Sequence, residues 1–147
     1  MSADVEELSA PLVMYAARLG RAVNRRRADD VPAATLRLLP QVEELGPIII
    51  GRLAQADRCS QPTMSAAVQK LVDRGWATKQ PHPADRRSWL IGLTEHGAAV
   101  LRDARSHNGA VVAERLALDP CHDVADVEAA ATLLRDLLQT QTEQGTP

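Results

Sequence analysis

Aromatic residues are scarce in this sequence. Phe is absent, and Trp and Tyr together make up 2% of the 147 residues, whereas Ala and Arg are plentiful. This bias is typical of GC-rich codon usage and points to no particular task. The hydrophobic content of 45% is still sufficient for a folded core, and the length allows one domain, or one domain with additional dimerising helices.

The sequence also lacks a long apolar run. Its longest aliphatic block, Ile48 to Ile50, is far shorter than the roughly 20 residues that a membrane-spanning helix needs. The initial segment MSADVEELSA is acidic, unlike the start of a signal peptide. We therefore expect a cytoplasmic protein with no membrane association. Without an export signal or zinc-knuckle spacing, Cys59 and Cys121 are expected to be reduced thiols, with Cys59 a small core side chain.

Motifs of the common enzyme classes are missing as well. The sequence has no Gly-rich phosphate loop, nucleophile elbow, His-Glu-x-x-His helix or Cys-x-x-Cys pair. The nearest approach to a ligand cluster is Cys121-His122-Asp123 with Asp126, but these residues lie at the beginning of a predicted helix, where Asp is an ordinary capping residue. We therefore expect no enzymatic activity, no metal site and no cofactor.

The net charge of −2 is unevenly distributed along the chain. Residues 47–94 contain seven Lys or Arg against three Asp or Glu, whereas residues 95–147 contain four against nine. Affinity for phosphate follows the local potential of the contacting surface rather than the total charge. Residues 47–94 are therefore the candidate nucleic-acid-binding segment, although a chance fluctuation would explain this split almost as well.

Residues 60–75 predict a short helix with one apolar and one polar face. Ser60 is a candidate N-cap and Gly75 the stop. The inward stripe consists of Met64, Ala67, Val68, Leu71 and Val72. The outer side carries hydroxyl, amide and basic groups without Glu, which suits base edges and phosphates better than bulk water. The candidate DNA contacts on this helix are Ser60, Gln61, Pro62, Thr63, Ser65, Gln69 and Lys70.

A predicted hairpin follows this helix. Its strands, Trp76 to Lys79 and Ser88 to Leu93, bracket the loop PHPADRR, which is too polar for a core and too basic for an ordinary turn. Arg86 and Arg87 lie at its tip, where a guanidinium on a thin loop can enter a narrow minor groove. Asp85 can fix the loop by charge-assisted hydrogen bonds. Solvated tip charges are the alternative interpretation.

The remaining segments are predicted to be mostly helical. We expect a first helix from near Val5 into Arg25 and a second helix that is opened by Asp30 and Pro32 and stopped by Gly46. A short strand within residues 47–49 and a third helix at 51–57 should come next. Beyond the hairpin we expect a long helix from the Thr94 cap to about Leu118 and a final helix over residues 124–138. The fold class is mainly α with a small β-hairpin wing. In this interpretation residues 30–94 form a winged helix-turn-helix within a single chain of residues 1–147, and residues 1–27 and 95–142 supply dimerisation helices. Their wide apolar stripes favour pairing with a second copy over folding back onto their own domain.

The hairpin sequence is specific enough to suggest a family. Asp85 to Thr94, DRRSWLIGLT, resembles the wing pattern of the MarR family of transcriptional regulators, Asp-x-Arg followed by x-x-x-Val-x-Leu-Thr, with Ile91 at the valine position. Residues 60–76 resemble the recognition helix of that family, and the likeness extends over nearly the whole chain. The resemblance implies a homodimer whose two winged helices bind a pseudo-palindromic double-stranded DNA operator. It also implies that Asp85 steadies the wing, that Arg87 enters the minor groove and that Arg86 makes a neighbouring contact.

The same resemblance implies a small effector, often a phenolic or otherwise lipophilic anion, in a cleft between the dimerisation helices and the winged helix. That cleft would be bordered by Tyr15, Arg18, Leu19 and Leu36, each of which is also explained as an ordinary core or surface residue. We therefore predict a ligand-responsive, DNA-binding repressor. The alternatives are a winged-helix protein-interaction module without DNA binding, against which the arginine wing argues, and a catalytic helical dimer, for which a cofactor motif is missing.

Overall fold

The computed structural model describes residues 3–25, 33–119 and 121–139. Asp30 and Pro32, which were expected to open the second helix, lie outside the described residues. Six helices and three strands form within the described part of the chain: α1 (Ala3–Asn24), α2 (Ala33–Leu45), β1 (Ile48–Ile49), α3 (Ile50–Ala56), α4 (Gln61–Asp73), β2 (Ala77–Pro81), β3 (Trp89–Leu93), α5 (Glu95–Ala117) and α6 (Val124–Gln139). The fold class is therefore as predicted, mainly helical with a small sheet. The chain forms two compact units, residues 1–108 and 109–147, and α5 runs from the first into the second.

The sheet is antiparallel and lies entirely in the first unit. Its strand order is β1-β3-β2, so the two-residue strand β1 pairs with the hairpin formed by β2 and β3. The pairing of Ile48 with Ile91 joins β1 to the middle of β3. The ladder between β2 and β3 begins with the pair Ala77 and Leu93 and ends with the pair Pro81 and Trp89. We call residues 77–93, which comprise β2, β3 and the loop between them, the wing.

The core of the first unit is mainly aliphatic, because α2, α3, α4 and β3 all direct branched side chains into it. Its most deeply buried members are Leu38, Leu39, Val42, Leu53, Met64, Val68, Leu71 and Ile91. Leu45, by contrast, has a side chain that is 45% exposed. Leu45 is the last residue of α2, and Gly46, at φ 61°, turns the chain away there.

Local capping interactions define the ends of the helices next to the wing. Ser60 Oγ accepts a hydrogen bond from the backbone N–H of Thr63 at 3.3 Å, so Ser60 is the N-cap of α4, as predicted. Gly75 follows α4 with φ 71°, a conformation that glycine adopts without steric cost. Thr94 Oγ1 accepts from the N–H of Gly97 at 3.0 Å and donates to the carbonyl of Gly75 at 2.7 Å. These caps place the start of α5 beside the end of α4.

The outer helices expose much of their apolar surface in the single chain. In α1 the exposed apolar residues include Val5, Leu8, Val13, Met14, Tyr15 and Leu19, and in α6 they include Val124, Val127, Leu133, Leu134, Leu137 and Leu138. None of the residues of α6 is buried. No helix within the described part of the chain is long and apolar enough to cross a membrane.

Candidate nucleic-acid interface

The helix α4 presents the polar face that its sequence predicts. Met64, Val68 and Leu71 are buried against the core, whereas the candidate contacts Gln61, Pro62, Thr63, Gln69 and Lys70 are exposed and Ser65 is half-buried. The Gln69 amide donates to Asp73 Oδ1 at 2.8 Å, one turn further along the helix. Its amide nitrogen is therefore less available to an external acceptor than that of Gln61.

Ser60 and Thr63 both shape the beginning of α4. Their hydroxyl oxygens are 2.8 Å apart, in addition to the bond from the Thr63 N–H to Ser60 Oγ. Both side chains are exposed. Because the first turn of a helix carries unpaired N–H groups and the positive end of its dipole, two exposed hydroxyls beside it form a surface suited to a phosphate oxygen.

Gln61 lies directly against Gly51 at the start of α3. A Cβ atom added to Gly51 would stand 2.8 Å from Gln61 Nε2, closer than real Cβ contacts allow. The Gln61 amide therefore occupies space that only a glycine leaves open. Sequence reasoning did not identify Gly51 as part of the interface, because nothing in the spacing of residues 51 and 61 indicates the contact.

At the tip of the wing, Asp85 holds the loop in place. Its Oδ1 accepts the backbone N–H of Arg87 at 3.0 Å, and its Oδ2 accepts the hydroxyl of Ser88 at 2.7 Å. The hydrogen bond from the Ser88 hydroxyl, and to a smaller extent the one from the Arg87 N–H, lowers the pKa of the Asp85 carboxyl below its ordinary value. The loop is closed further by the N–H of Ser88 donating to the Asp85 carbonyl at 3.0 Å. Arg86 and Arg87 are both exposed on this constrained turn.

The helix α4 and the wing face a common groove. A cavity of about 380 Å³ is lined by Gln61, Pro62 and Ser65 of α4, by Arg87, Ser88 and Trp89 of the wing, and by Ile49, Ile50 and Gly51 between them. The structure thus brings together four of the ten predicted DNA contacts, Gln61, Pro62, Ser65 and Arg87. Trp89 also lines this groove and was not among the predicted contacts, although a tryptophan beside a basic loop in a chain with so few aromatics was a usable signal.

A second cavity, of about 610 Å³, lies in the first unit. Its walls are Ala17, Gly20, Arg21 and Asn24 of α1, Leu36, Arg37 and Pro40 of α2, and Leu101, Ala104, Arg105 and Asn108 of α5. Of the four predicted effector residues only Leu36 lines it. Tyr15, Arg18 and Leu19 lie on other faces of α1, because the lining residues of that helix recur at intervals of three and four from Ala17.

Charged groups are available at this second cavity. Arg37 donates to Asp57 through both terminal nitrogens, with Nη2 2.9 Å from Oδ2, and Arg105 donates to Glu43 at 2.8 Å. Among the residues that the structure describes, Arg21 has no ion-pair partner, and the buried Oδ1 of Asn108 has no hydrogen-bond donor. Arg21 is therefore the cation at this cavity that is free to pair with a ligand.

The carboxylates near Cys121 cap a helix. Asp123 Oδ1 accepts the N–H groups of Ala125 and Asp126, and Asp126 Oδ2 accepts the N–H of Asp123 at 3.2 Å. This reciprocal arrangement is a capping box. The hydrogen bond from the Asp123 N–H, and to a smaller extent the one from His122, lowers the pKa of the Asp126 carboxyl. Within the described ranges no three His, Cys, Asp or Glu side chains are placed to hold a metal ion.

Comparison with known proteins identifies the family. The MarR family model matches residues 32–89. The chain is also 32% identical to an uncharacterized HTH-type transcriptional regulator of Mycobacterium bovis over 111 residues, which cover 75% of this chain and 78% of that protein. The chain belongs to the MarR family. As a MarR-family protein it is a transcriptional regulator, so the expectation that it is not an enzyme is confirmed by its relatives.

Further relatives and solved structures agree with this assignment. The HTH-type transcriptional repressor NicR of Pseudomonas putida is 30% identical over 67% of this chain and 63% of its own length. A mutant of Escherichia coli MarR matches with a TM-score of 0.73 and 23% identity, over 89% of this chain and 96% of that chain. The complex of that mutant with operator DNA matches with a TM-score of 0.64 and 22% identity, over 92% of this chain and 96% of that chain. Bordetella bronchiseptica BpsR, whose DNA binding is regulated by 6-hydroxynicotinic acid, matches with a TM-score of 0.58 and 20% identity, over 90% of this chain and 91% of that chain. At these identities the structural matches show the fold.

Proposed function

We propose that this MarR-family regulator binds double-stranded operator DNA as a homodimer and represses transcription until a small anion binds. The observation that carries the proposal is the groove shared by α4 and the wing, in which a polar helix face and a constrained arginine loop open on the same side of the molecule. A helix for the major groove and an adjacent loop for the minor groove are the two elements that a winged helix uses to read DNA.

Each part of this surface has a role that its chemistry suits. Gln61 and Ser65, on the exposed side of α4, are the candidate readers of base edges, since amides and hydroxyls pair with the donors and acceptors of the major groove. Ser60, Thr63 and Lys70 are candidate phosphate contacts. Arg87 would enter the minor groove, with Arg86 contacting the neighbouring backbone.

The relatives support DNA binding and repression. NicR is named a transcriptional repressor, and the E. coli MarR mutant that shares this fold forms a complex with operator DNA. The basic balance of residues 47–94 is located on the unit that carries α4 and the wing. A surface of that sign suits phosphate binding, because released counterions favour association.

The exposed apolar faces of α1 and α6 support a homodimer. Leu134, Leu137 and Leu138 of α6 are all exposed, and leaving their apolar surface in water would cost free energy. Pairing with the same residues of a second chain would bury that surface. A two-fold axis would also double the reading surface, which is the usual way in which a helix-turn-helix protein obtains specificity.

The cavity lined by Arg21 and Asn108 is the proposed effector site. Its volume of about 610 Å³ suits a drug-sized molecule, and the uncommitted guanidinium of Arg21 can pair with a carboxylate. The 6-hydroxynicotinic acid that regulates BpsR is a small aromatic carboxylate of this kind. We propose an aromatic hydroxy acid as the class of effector.

Operator binding is tested with the DNA upstream of the gene that encodes this chain. Fluorescence anisotropy should show tight binding to an inverted repeat in that DNA. Inserting five base pairs between the half-sites should abolish most of the specificity, because it rotates one half-site to the opposite face of the duplex. Replacing both Arg86 and Arg87 with Ala should weaken binding by a few kcal/mol at most. The Arg102→Ala variant, which removes an exposed arginine of α5, is the control and should bind as the parent does.

Three results would contradict the proposal: no binding to any upstream repeat, undiminished specificity after the insertion, or equal affinity of the double variant and the parent at matched salt. The first would favour the protein-interaction module that the sequence left open. For the effector, Arg21→Gln should lower the response to added 6-hydroxynicotinic acid while operator affinity stays unchanged. An unaltered response would exclude this cavity as the effector site.

A further inference from the structure

The two tryptophans of the chain lie in different environments. Trp76 is 7% exposed and belongs to the core, whereas Trp89 is 40% exposed. A large aromatic side chain left in solvent loses the stabilisation that burial would provide. Trp89 is therefore either a surface residue without a role or a residue whose ring is covered when a partner binds.

The strand pattern explains why Trp89 is not part of the core. Trp89 and Ile91 lie on the same face of β3, and Ile91 is fully buried. The hairpin continues past the edge of the core, where Trp89 pairs with the exposed Pro81. Its ring is thereby carried into the groove between α4 and the wing, beside Pro62, Ser65 and Arg87.

A basic side chain contacts the indole ring. Lys79 Nζ is 5.0 Å from the ring centroid of Trp89, within the range of a cation–π interaction. Lys79 pairs with Ile91, so Lys79 and Trp89 are diagonal neighbours on one face of the hairpin. This contact restrains the ring and adds a positive charge at the base of the wing.

The proposed mode of DNA binding requires a DNA strand to cross this groove. When α4 lies in the major groove and Arg87 in the adjacent minor groove, the two grooves are separated by one sugar-phosphate strand, which must pass between α4 and the wing. We propose that this strand packs against Trp89. The apolar ring would contact deoxyribose, and the indole N–H would donate to a phosphate oxygen. This inference rests on the proposed DNA binding and assigns a backbone contact outside the predicted set.

Fluorescence provides a direct test. In the Trp76→Phe variant Trp89 is the sole tryptophan, so adding operator DNA should change its emission and protect it from acrylamide quenching. In the Trp89→Phe variant the remaining Trp76 is buried, and DNA should leave its emission nearly unchanged. If Trp76→Phe does not fold, the difference between the parent and Trp89→Phe supplies the same measurement. Bound DNA that leaves Trp89 as accessible to quencher as before would overturn the proposal.

Affinity measurements separate a backbone contact from base reading. Trp89→Ala should weaken binding roughly tenfold, and by the same factor for operator and random DNA, because a backbone contact carries no sequence information. The salt dependence should be unchanged in Trp89→Ala but shallower in Lys79→Gln, which removes a charge. Wild-type affinity of Trp89→Ala would overturn the proposal, and so would a loss confined to the operator.

The proposed DNA binding and the proposed role of Trp89 would be refuted by different results. If the parent protein binds no DNA, the proposed function itself is wrong. If the parent binds the operator and depends on Arg87, but Trp89→Ala binds equally well and Trp89 fluorescence does not respond, then DNA binding stands and only the role of Trp89 is refuted. A protein partner that shields Trp89 in place of DNA would likewise refute this role.

Discussion

The carboxylate of Asp85 accepts the backbone N–H of Arg87, at 3.0 Å, and so fixes the position of the arginine that extends from the wing tip. The bond restrains the backbone of the loop and leaves the guanidinium to extend outward. A loop ordered before binding loses less entropy when it meets a ligand. In the proposed complex with DNA, this ordering would allow a carboxylate in the wing loop to favour binding to a polyanion despite its own charge.

The pKa of Asp85 provides the first prediction. Because hydrogen bonds from Ser88 and from the Arg87 N–H lower this pKa, the charged carboxylate stabilises the wing above the ordinary pKa of 3.8, and the stabilisation is lost as the pH falls through the lowered value. Wing order should therefore be constant near neutral pH. An NMR titration of the Asp85 carboxyl carbon should give a pKa below 3.8 in the parent and a higher one in Ser88→Ala. A parent value at or above 3.8, or no difference between the two proteins, would contradict it.

Gly51 is predicted to determine where Gln61 points. In Gly51→Ala the added methyl group should displace the Gln61 amide, because that amide is the flexible end of its side chain. Thermal stability should fall little or rise, since Ala is favoured over Gly in a helix by about 0.5–1 kcal/mol. Competition among operator variants should reveal an altered base preference. In a Gln61→Ala background the same substitution should have no further effect, and an equal shift in both backgrounds would refute the coupling.

Leu134 is predicted to lie in the proposed dimer interface. Leu134→Glu would bury an unpaired charge there, so this variant should sediment as a monomer or as unfolded chain and should lose specific operator binding, because the energies of two half-sites are no longer coupled. Leu134→Met retains an apolar side chain of similar volume and should remain a dimer. A parent protein that sediments as a folded monomer at micromolar concentration would be inconsistent with this prediction.

Gly97 and Gly109 are predicted to respond in opposite ways to the same substitution. Both lie in α5, but a Cβ on Gly97 would collide with the backbone carbonyl of Trp76, whereas a Cβ on Gly109 would meet nothing within 4 Å. Gly97→Ala should therefore lower the free energy of unfolding by about 1–3 kcal/mol, because the backbone must shift to make room for the methyl group. Gly109→Ala should add about 0.5–1 kcal/mol. Urea unfolding of both variants measures the difference, and equal stabilities would argue against the close approach of α5 to Trp76.

Local features of the sequence predicted the order and nature of the elements. The Ser60 cap, the Gly75 stop and the polar loop between the two wing strands each depend on neighbours within a few residues, so they can be recognised without a structure. The predicted helices and strands were accordingly confirmed with ends shifted by only a few residues, and the family was recognisable from residues 85–94. The start of α2 lies outside the described residues and stays a prediction.

Contacts between distant residues were decided only by the tertiary structure. Periodicity shows that Ala17, Gly20 and Arg21 share one side of α1, but not that this side, rather than the one bearing Tyr15, lines the cavity. The approach of Gln61 to Gly51 and the emergence of Trp89 beyond the core are likewise invisible in the spacing of the residues. A helix or strand can form with the same internal hydrogen bonds whichever face is buried, so the choice of face depends on long-range packing, which the local pattern does not specify.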